Sequence, residues 1–262
     1  MNLSGQYGDS RNLRSRVSLH ANFSTNKVDW SRWVFERLGL KADSRVLEVG
    51  CGTGELWKRN LPDVPPGCVA VLSDLFHGMA SEARDRLAAD GRFTTCVCDA
   101  QALPFPEETF DLVVANHMLY HVPDRRRGLG EIWRVLKPGG RLMAATNGLS
   151  HMRELFRMLD GVSPGRKTRP VPVEEGFSLQ DGAGLLGEWF TEVAMTRRDD
   201  SLEVTEAGPV VAYGLSTGRY DLSGNRAARL AELVEKEIAA NGRFRITKET
   251  GLFEARKQRV RP

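Results

Sequence analysis

The sequence predicts an α/β protein with a doubly wound, mostly parallel sheet and an antiparallel strand near the C-terminus. Three observations support this prediction: five short apolar runs in the first half of the chain, helical stretches between those runs, and an alternating segment at residues 243–256. Parallel strands need long crossover connections, and a helix in each crossover covers a face of the sheet. The alternation at residues 243–256 is typical of a strand or a hairpin.

The five runs are short, apolar and bounded by turn residues, as buried strands of a parallel sheet are. They occupy residues 45–49, 69–72, 94–98, 110–115 and 141–146. Helices are predicted between them at residues 55–59, 78–89 and 127–136. The last helix is expected to stop at Lys137-Pro138-Gly139-Gly140, because proline and paired glycines interrupt a helix.

Helices are also predicted on both sides of this region. Apolar residues fall on one stripe of a helix over residues 27–38, for which Asn26 or Ser24 is the predicted N-cap. Three more are predicted in the second half: an amphipathic helix at residues 152–159, one opened by a capping box at residues 178–181, and one at residues 226–240 that Asn241-Gly242 ends.

We interpret the chain as a single domain over residues 1–262. Its predicted parts are a helical cap at residues 1–40, a core with the five strands at 45–147, a lid-like insertion at 148–190, and C-terminal strands and helices at 191–262.

Composition excludes several classes of protein. Hydrophobic residues make up 41% and charged residues 27% of the 262 residues, which is typical of a globular domain and excludes wholesale disorder. No apolar run is long enough to span a membrane. A net charge of +3 is too small to indicate a nucleic-acid partner. Four cysteines and the lack of a secretory signal pattern favour a reducing, cytoplasmic location.

A glycine-rich turn follows the first predicted strand. Gly50, Gly52 and Gly54 alternate with Cys51 and Thr53 and lead directly into a helix. Glycine permits unusual backbone dihedrals and a close approach of the backbone to a ligand. No Lys-Ser/Thr pair follows, as a P-loop requires, and the third glycine lies one residue too early for the dinucleotide pattern G-x-G-x-x-G.

Polar residues follow the next three predicted strands. Asp74 ends the second strand, Asp99 follows the third, and Asn116 follows the fourth. The carboxyl ends of parallel strands form the edge at which open α/β sheets bind ligands, and an acid after the second strand accepts ribose hydroxyls. These positions indicate a ligand site at that edge.

Five segments in this order resemble the class I S-adenosylmethionine-dependent methyltransferases, in particular the group with the menaquinone and ubiquinone C-methyltransferases. They are residues 47–54, 73–75, 99–105, 110–111 with 121–124, and 131–140. The resemblance implies a Rossmann-like fold, S-adenosyl-L-methionine as cofactor, and methyl transfer to a small-molecule acceptor in a biosynthetic pathway.

The resemblance also implies roles for the turn. Gly50, Cys51, Gly52 and Gly54 would pass beneath the methionine part and the ribose of the cofactor. Glu48 would receive the ammonium group, directly or through water.

At the following strand ends, the resemblance implies that Asp74 holds the ribose, with Leu75 against the adenine. Asp99 would accept from the adenine amino group, with the Ala100 backbone beside it, and Asn116 would lie near the methionine end. Residues 76–79 depart from the family, which has a small polar residue and a proline there, so the adenine wall is not assigned.

The cysteines are predicted to be structural. Cys51 is interpreted as a small residue within the turn rather than a catalytic thiol. Cys96 and Cys98 point to one face of their strand and are expected to pack there. The further ligands that zinc requires are not evident at suitable spacing, so no metal is expected.

Two histidines are candidates for a general base. His117 and His121 follow the fourth strand, and imidazole titrates near neutral pH. The alternative for His121 is a structural role in holding the loop. Three residues are predicted to bind the substrate: Tyr120, which lies between the two histidines, and Tyr7 and Phe23 of the N-terminal segment.

Four functions are therefore compared. The preferred one is a methyltransferase that acts on a small molecule, with neither nucleic acid nor membrane as partner. The alternatives are an RNA methyltransferase, a non-catalytic S-adenosylmethionine-binding protein and an NAD-dependent oxidoreductase. The sequence does not predict whether oxygen, nitrogen or carbon accepts the methyl group, and it does not predict the oligomeric state.

Overall fold

The computed structural model describes residues 11–163 and 176–258, with side chains from residue 17 onward. The strands of these residues are β1 (Arg45–Val49), β2 (Val69–Asp74), β3 (Phe93–Val97), β4 (Phe110–Asn116), β5 (Leu136–Asn147), β6 (Thr191–Arg198), β7 (Ser201–Val204), β8 (Phe244–Thr247) and β9 (Thr250–Arg256). The α-helices are α1 (Arg11–Phe23), α2 (Trp30–Leu38), α3 (Glu55–Asn60), α4 (His77–Leu87), α5 (Arg125–Val135), α6 (Arg153–Val162), α7 (Gly182–Gly187), α8 (Ala207–Ser216) and α9 (Arg226–Asn241).

The contacts of the chain define two compact units. The sheet unit comprises the described residues of Val28–Leu149, Val173–Arg198 and Thr250–Pro262. The helical unit comprises those of Met1–Lys27, Ser150–Pro172 and Asp199–Glu249. Both the predicted cap and the predicted insertion are divided: α2 and α7 belong to the sheet unit, whereas α1 and α6 belong to the helical unit. A single domain over residues 1–262 stays a prediction.

The sheet unit contains a seven-stranded sheet in the order β3-β2-β1-β4-β5-β9-β6. Strands β1 to β5 pair in parallel, and β9 is antiparallel to both of its neighbours, β5 and β6. The predicted fold class, with its antiparallel C-terminal strand, is therefore confirmed.

Alternate residues of the central strands pack on opposite faces of the sheet. Leu47 and Val113 belong to one buried cluster together with Ile132 of α5. Val46 and Val114 belong to a second cluster, which includes residues of α2, α3 and α4. Helices thus cover both faces, and the strands consist largely of apolar residues because they are buried on both sides.

Register brings the carboxyl ends of four strands to one edge. Val49 of β1 pairs with Ser73 of β2 and with Ala115 of β4. Asp74, the last residue of β2, pairs with Val97, the last residue of β3. The polar residues that follow these strands therefore share one edge of the sheet.

Some predicted boundaries are wrong. β5 begins at Leu136, directly after α5, so the segment Lys137–Gly140 is part of a strand rather than a loop. Backbone hydrogen bonds explain this, because Gly139 N donates to Lys257 O and Lys257 N donates to Gly140 O. Pairing with Lys257, which is distant in the sequence, thus extends β5 beyond its predicted start.

Two other local predictions also differ from the structure. The N-cap of α2 is Asp29, whose carboxylate accepts from Ser31 N and Arg32 N, rather than Asn26 or Ser24. Residues 243–256 form two strands but not a hairpin, because β8 pairs with β7 and β9 joins the large sheet. The helix predicted after residues 178–181 corresponds to α7 (Gly182–Gly187).

The helical unit packs α1, α6, α8 and α9 with the two-stranded sheet of β7 and β8. Its core contains Leu19, Leu155, Val210, Leu230 and Ile246, each fully buried. The predicted helices at 152–159 and 226–240 correspond to α6 and α9, and Gly242 ends α9 in the left-handed conformation, with φ of 75°. In the described part of the chain, no helix has the length and apolar character required to cross a membrane.

Candidate functional site

The glycine turn leaves β1 at the edge where the strand ends meet. Gly50, Gly52 and Gly54 have φ values of 66°, 55° and 71°, in the left-handed region that favours glycine. A Cβ at Gly50 would lie 2.6 Å from the Cβ of Met118, so a side chain is also sterically excluded there. At Gly52 a Cβ would meet no atom of the described residues within 4 Å, which leaves space for a ligand against the backbone.

Asp74 holds the turn in place. Its Oδ2 accepts from Gly52 N at 2.9 Å, and its Oδ1 accepts from Phe76 N at 2.9 Å. The residue is buried, and burial raises the pKa of its carboxyl group, while the backbone donors oppose that shift. A carboxylate offers about four acceptor positions, so both oxygens can still accept ribose hydroxyls.

Glu48 lies at the base of the turn and is 2% exposed. Its Oε2 accepts from the indole Nε1 of Trp57 at 2.7 Å. Burial raises the pKa of Glu48 to about 8, although the Trp57 hydrogen bond lowers it. A cation beside this carboxyl group would favour its ionised form, which fits the ammonium of the expected cofactor. Trp57 was not among the predicted site residues.

Asp99 adopts a local turn at the next strand end. Its Oδ1 accepts from Gln101 N at 2.9 Å, and both of its oxygens accept from Gln101 Nε2. Gln101 Oε1 in turn accepts from Asp124 N, the N-cap of α5. Ala100 is buried and Leu75 is 51% exposed, so Leu75 is available to cover a flat ligand ring.

Asn116 ends β4, and its Oδ1 accepts from the indole Nε1 of Trp30 at 3.1 Å. The next residue, His117, has φ of 57°, and its ring centroid lies 4.9 Å from that of Trp30. A left-handed conformation is uncommon for residues other than glycine and is concentrated at functional sites. Trp30, predicted only as part of a helix stripe, therefore orients Asn116 and packs against His117.

The second candidate base lies in a 3-10 turn at Leu119–His121. The ring centroid of Tyr120 is 4.6 Å from that of His121 and 6.4 Å from that of His117. The Tyr120 carbonyl accepts from Arg125 of α5 at 3.2 Å. The structure therefore brings His117, Tyr120 and His121 together on one loop.

Of the two predicted N-terminal substrate-binding residues, the structure describes one. Phe23 ends α1 in the helical unit and packs, partly buried, against that unit's core. Tyr7 lies outside the described residues. Their substrate-binding roles stay predictions. Among residues 11–163 and 176–258, no group of three or more His, Cys, Asp or Glu could hold a metal ion.

Comparison with known proteins gives matches to a family model, to curated relatives and to solved structures. A family model described as a methyltransferase domain, Methyltransf_11, matches residues 47–144. The ubiquinone/menaquinone biosynthesis C-methyltransferase UbiE of Geobacter sulfurreducens is 37% identical over 157 residues, which are 59% of this chain and 60% of that protein. The chain thus spans less than two thirds of the length of this curated relative.

Solved structures share the fold at low sequence identity. The YcgJ protein of Bacillus subtilis superposes with a TM-score of 0.59 at 17% identity, over 88% of this chain and 98% of that one. The [4+2]-cyclase SpnF superposes with a TM-score of 0.59 at 19% identity, over 98% of this chain and 96% of that one.

The family match contains the glycine turn, Asp74, Asp99 and Asn116, the residues that the register of the sheet brings to one edge. Residues 47–144 therefore match a methyltransferase-domain model, in a chain that resembles the class I S-adenosylmethionine-dependent methyltransferases and, among them, the quinone C-methyltransferases.

Proposed function

We propose that this protein is an S-adenosylmethionine-dependent methyltransferase that acts on a small-molecule acceptor in a biosynthetic pathway. The observation that supports this most strongly is the glycine turn, with open space at Gly52 and a carboxylate, Asp74, bonded to its backbone. The UbiE relative carries a name that assigns it to quinone biosynthesis, which favours a metabolite over a macromolecule as acceptor. We place the protein in the cytoplasm.

The residues at the strand ends would each hold one part of the cofactor. Glu48 would receive the ammonium, Asp74 the ribose hydroxyls, and Asp99 the adenine amino group, with Leu75 and the Ala100 backbone against the adenine. When bound, the cofactor supplies a methyl group on a sulfonium, which is a good leaving group. The task of the protein is to align the acceptor with that methyl group and to exclude water.

The loop after β4 is proposed to meet the acceptor. His117 lies beside Asn116 and is packed by Trp30, which fixes its ring within the loop. A base is required only when the acceptor is a hydroxyl, a protonated amine or an acidic carbon. His117 is our candidate for that base, and His121 and Tyr120 would shape the acceptor site.

An enzyme of the same fold that catalyses another reaction is the second candidate. The observation in its favour is the fold likeness to a [4+2]-cyclase, because a fold does not determine the reaction that it supports. An RNA methyltransferase is less favoured because the net charge of +3 is small. An NAD-dependent oxidoreductase is less favoured because the third glycine lies one residue too early for the dinucleotide pattern.

Calorimetry with S-adenosylhomocysteine, S-adenosylmethionine and NAD tests the cofactor. We expect saturable binding of the first two and none of NAD. Turnover of S-adenosylmethionine with a metabolite panel and with bulk tRNA then tests the reaction. S-adenosylhomocysteine formed only with a metabolite supports the proposal. Tight NAD binding alone, stable methylation of tRNA, or binding without turnover across the panel would each favour an alternative.

A further inference from the structure

Two cysteines lie side by side where β3 ends. The thiol of Cys96, in β3, donates to Sγ of Cys98 at a distance of 3.9 Å. β3 is an edge strand of the sheet, and both side chains are half-buried. The other two cysteines of the chain, Cys51 and Cys68, are buried. The pair therefore combines contact with access to solvent, which simple sheet packing does not require.

We propose that Cys96 and Cys98 are a thiol-oxidation site, at which a peroxide joins the two sulfurs in a disulfide and thereby weakens cofactor binding at the adjoining strand ends. The oxidation step stands on the geometry of the pair. Its effect on the cofactor rests on the proposed function.

The reaction uses two thiols and one peroxide. The Cys98 thiolate attacks one peroxide oxygen, which gives a sulfenic acid on Cys98 and releases hydroxide that takes up a proton to become water. The Cys96 thiol then gives up its proton, attacks the Cys98 sulfur to form the S–S bond and expels hydroxide, which takes up that proton and leaves as a second water. The two thiols are oxidised and the peroxide is reduced, and no further reactant is needed.

Electrostatics favour Cys98 as the first nucleophile. The hydrogen bond from Cys96 lowers the pKa of the Cys98 thiol, and the same bond raises the pKa of Cys96. The thiolate is the reactive form of cysteine toward peroxides. Cys96, which keeps its proton until Cys98 is oxidised, is then the resolving thiol.

Closure of the disulfide requires a movement at Cys98. The sulfurs must approach from 3.9 Å to about 2.05 Å, with Cα atoms about 4.4–6.8 Å apart. Residues two apart in an extended strand are separated by about 6.4–6.8 Å, at the upper end of that range. Cys98 lies one residue past Val97, where the register between β3 and β2 ends, and its backbone N–H is bonded to Asp74 O of β2. A disulfide with such strain is also more easily reduced, so the modification would be reversible.

The movement would reach the cofactor residues directly. Cys98 N donates to the backbone carbonyl of Asp74 at 3.1 Å, and Cys98 is bonded to Asp99 along the chain. A shift of Cys98 toward Cys96 therefore changes the position of Asp99 relative to Asp74. These are the two side chains proposed to hold the adenine and the ribose.

Peptide mass spectrometry of the full chain tests the oxidation itself. The reduced protein is exchanged into thiol-free buffer, treated with stoichiometric hydrogen peroxide, alkylated and digested with trypsin. Cys96 and Cys98 fall in one tryptic peptide, residues 93–125, whereas Cys51 and Cys68 fall in two others. We expect residues 93–125 to lose about 2 Da and to escape alkylation, and to regain both thiols with dithiothreitol.

The variants are Cys96→Ser and Cys98→Ser, with Cys68→Ala as the matched control. Each of the first two should abolish the 2 Da loss, and the control should keep it. A sulfinic acid, an intermolecular disulfide or no reaction in residues 93–125 would overturn the oxidation site.

The coupling is measured as the affinity for S-adenosylhomocysteine before and after oxidation. We expect an affinity about 10-fold weaker in the oxidised wild type, restored by dithiothreitol and unchanged in peroxide-treated Cys96→Ser. A disulfide that leaves the affinity unchanged would overturn the coupling. Failure of the reduced protein to bind would instead count against the proposed function, and the mass measurement would still decide the oxidation site.

Discussion

The indole N–H of Trp57 donates to the carboxyl group of Glu48 at 2.7 Å, in a part of the sheet unit where Trp57 is fully buried. Glu48 belongs to β1 and Trp57 to α3, and the glycine turn lies between them. The bond therefore closes the turn at its base, while Asp74 binds it at Gly52. The hydrogen bonds of both carboxyl groups therefore hold the glycine turn in its conformation without a bound ligand.

Replacing Trp57 with Phe tests the first of these contacts. The phenyl ring keeps the contacts with Phe35 and Phe93 but removes the donor to Glu48. We expect a loss of about 1–3 kcal/mol in the free energy of unfolding, because a buried acceptor is left without its partner. Urea denaturation measures it. Trp133→Phe, at a half-exposed indole, is the control and should cost under about 1 kcal/mol. Equal losses in the two variants would show that the hydrogen bond from Trp57 to Glu48 does not stabilise the fold.

The raised pKa of Glu48 predicts a pH dependence of stability. Its folded-state value of about 8 lies above its ordinary value of 4.5, so between these values the folded state binds a proton that the unfolded state has released. Stability from this group is then complete below pH 4.5 and falls as the pH rises towards 8, by up to about 1.4 kcal/mol per pH unit.

Urea unfolding at several pH values checks this slope. Glu48→Gln, which cannot titrate, should show a flatter pH dependence over that window than the wild type. An identical slope in both proteins would show that Glu48 is ionised in the folded state.

Asp74→Ala is expected to weaken S-adenosylmethionine binding by about 1–3 kcal/mol, because charge-assisted hydrogen bonds to the ribose are lost. The structure adds a second effect, since Gly52 N and Phe76 N also lose their acceptor. Calorimetry should show weaker binding, and urea denaturation should show lower stability. Asp74→Asn, which keeps one oxygen, should lie between Asp74→Ala and the wild type in both measurements. Unchanged affinity in Asp74→Ala would exclude it as the ribose residue.

A buried ion pair stabilises the helical unit. Lys248 Nζ lies 2.5 Å from Asp200 Oδ2, and the two side chains are 6% and 0% exposed. Burial raises the pKa of Asp200, but hydrogen bonds from Lys248, Ser24 and Asn26 outweigh it and bring the value to about 2. The stabilisation from this carboxylate is therefore complete above its ordinary value of 3.8 and is lost as the pH falls towards 2.

Lys248→Met should reduce the free energy of unfolding at neutral pH by about 3–5 kcal/mol, because it leaves a buried carboxylate without its cation. Thermal or urea unfolding measures it. The double variant Lys248→Met/Asp200→Asn should lose less than the sum of the two single variants. Arg84→Ala, in an exposed pair with Asp85, is the control and should cost under about 1 kcal/mol.

The five core strands were predictable because burial on both faces leaves each one as an apolar run between turns. β6 was not, since Thr191–Arg198 is exposed along most of its length and carries no apolar run or clear alternation. Its place in the sheet depends on pairing with β9, more than 50 residues away, which local patterns do not encode.

The candidate site was also predictable only in part. Spacing along the chain placed the glycine turn, Asp74 and Asp99 at one edge, and the register of the sheet explains why. Trp30 and Trp57 were interpreted only as parts of helices, because an indole in an amphipathic stripe is usually a core residue. Their hydrogen bonds to Asn116 and Glu48 depend on tertiary packing.

The last prediction concerns His117. Its left-handed backbone, with φ of 57°, and its contact with Trp30 set it at a fixed position after β4. If it is the general base, His117→Ala should lower kcat by ~10²–10⁴-fold with saturating cofactor and an acceptor that the panel identifies. His117→Asn is the control, because asparagine tolerates the left-handed conformation but is not a base at neutral pH. An equal loss in both variants therefore assigns the effect to proton transfer rather than to the backbone. His121→Ala should affect turnover less and stability more, since its 3-10 turn leads into α5. Near-normal kcat in both alanine variants would leave alignment of the acceptor as the main source of rate.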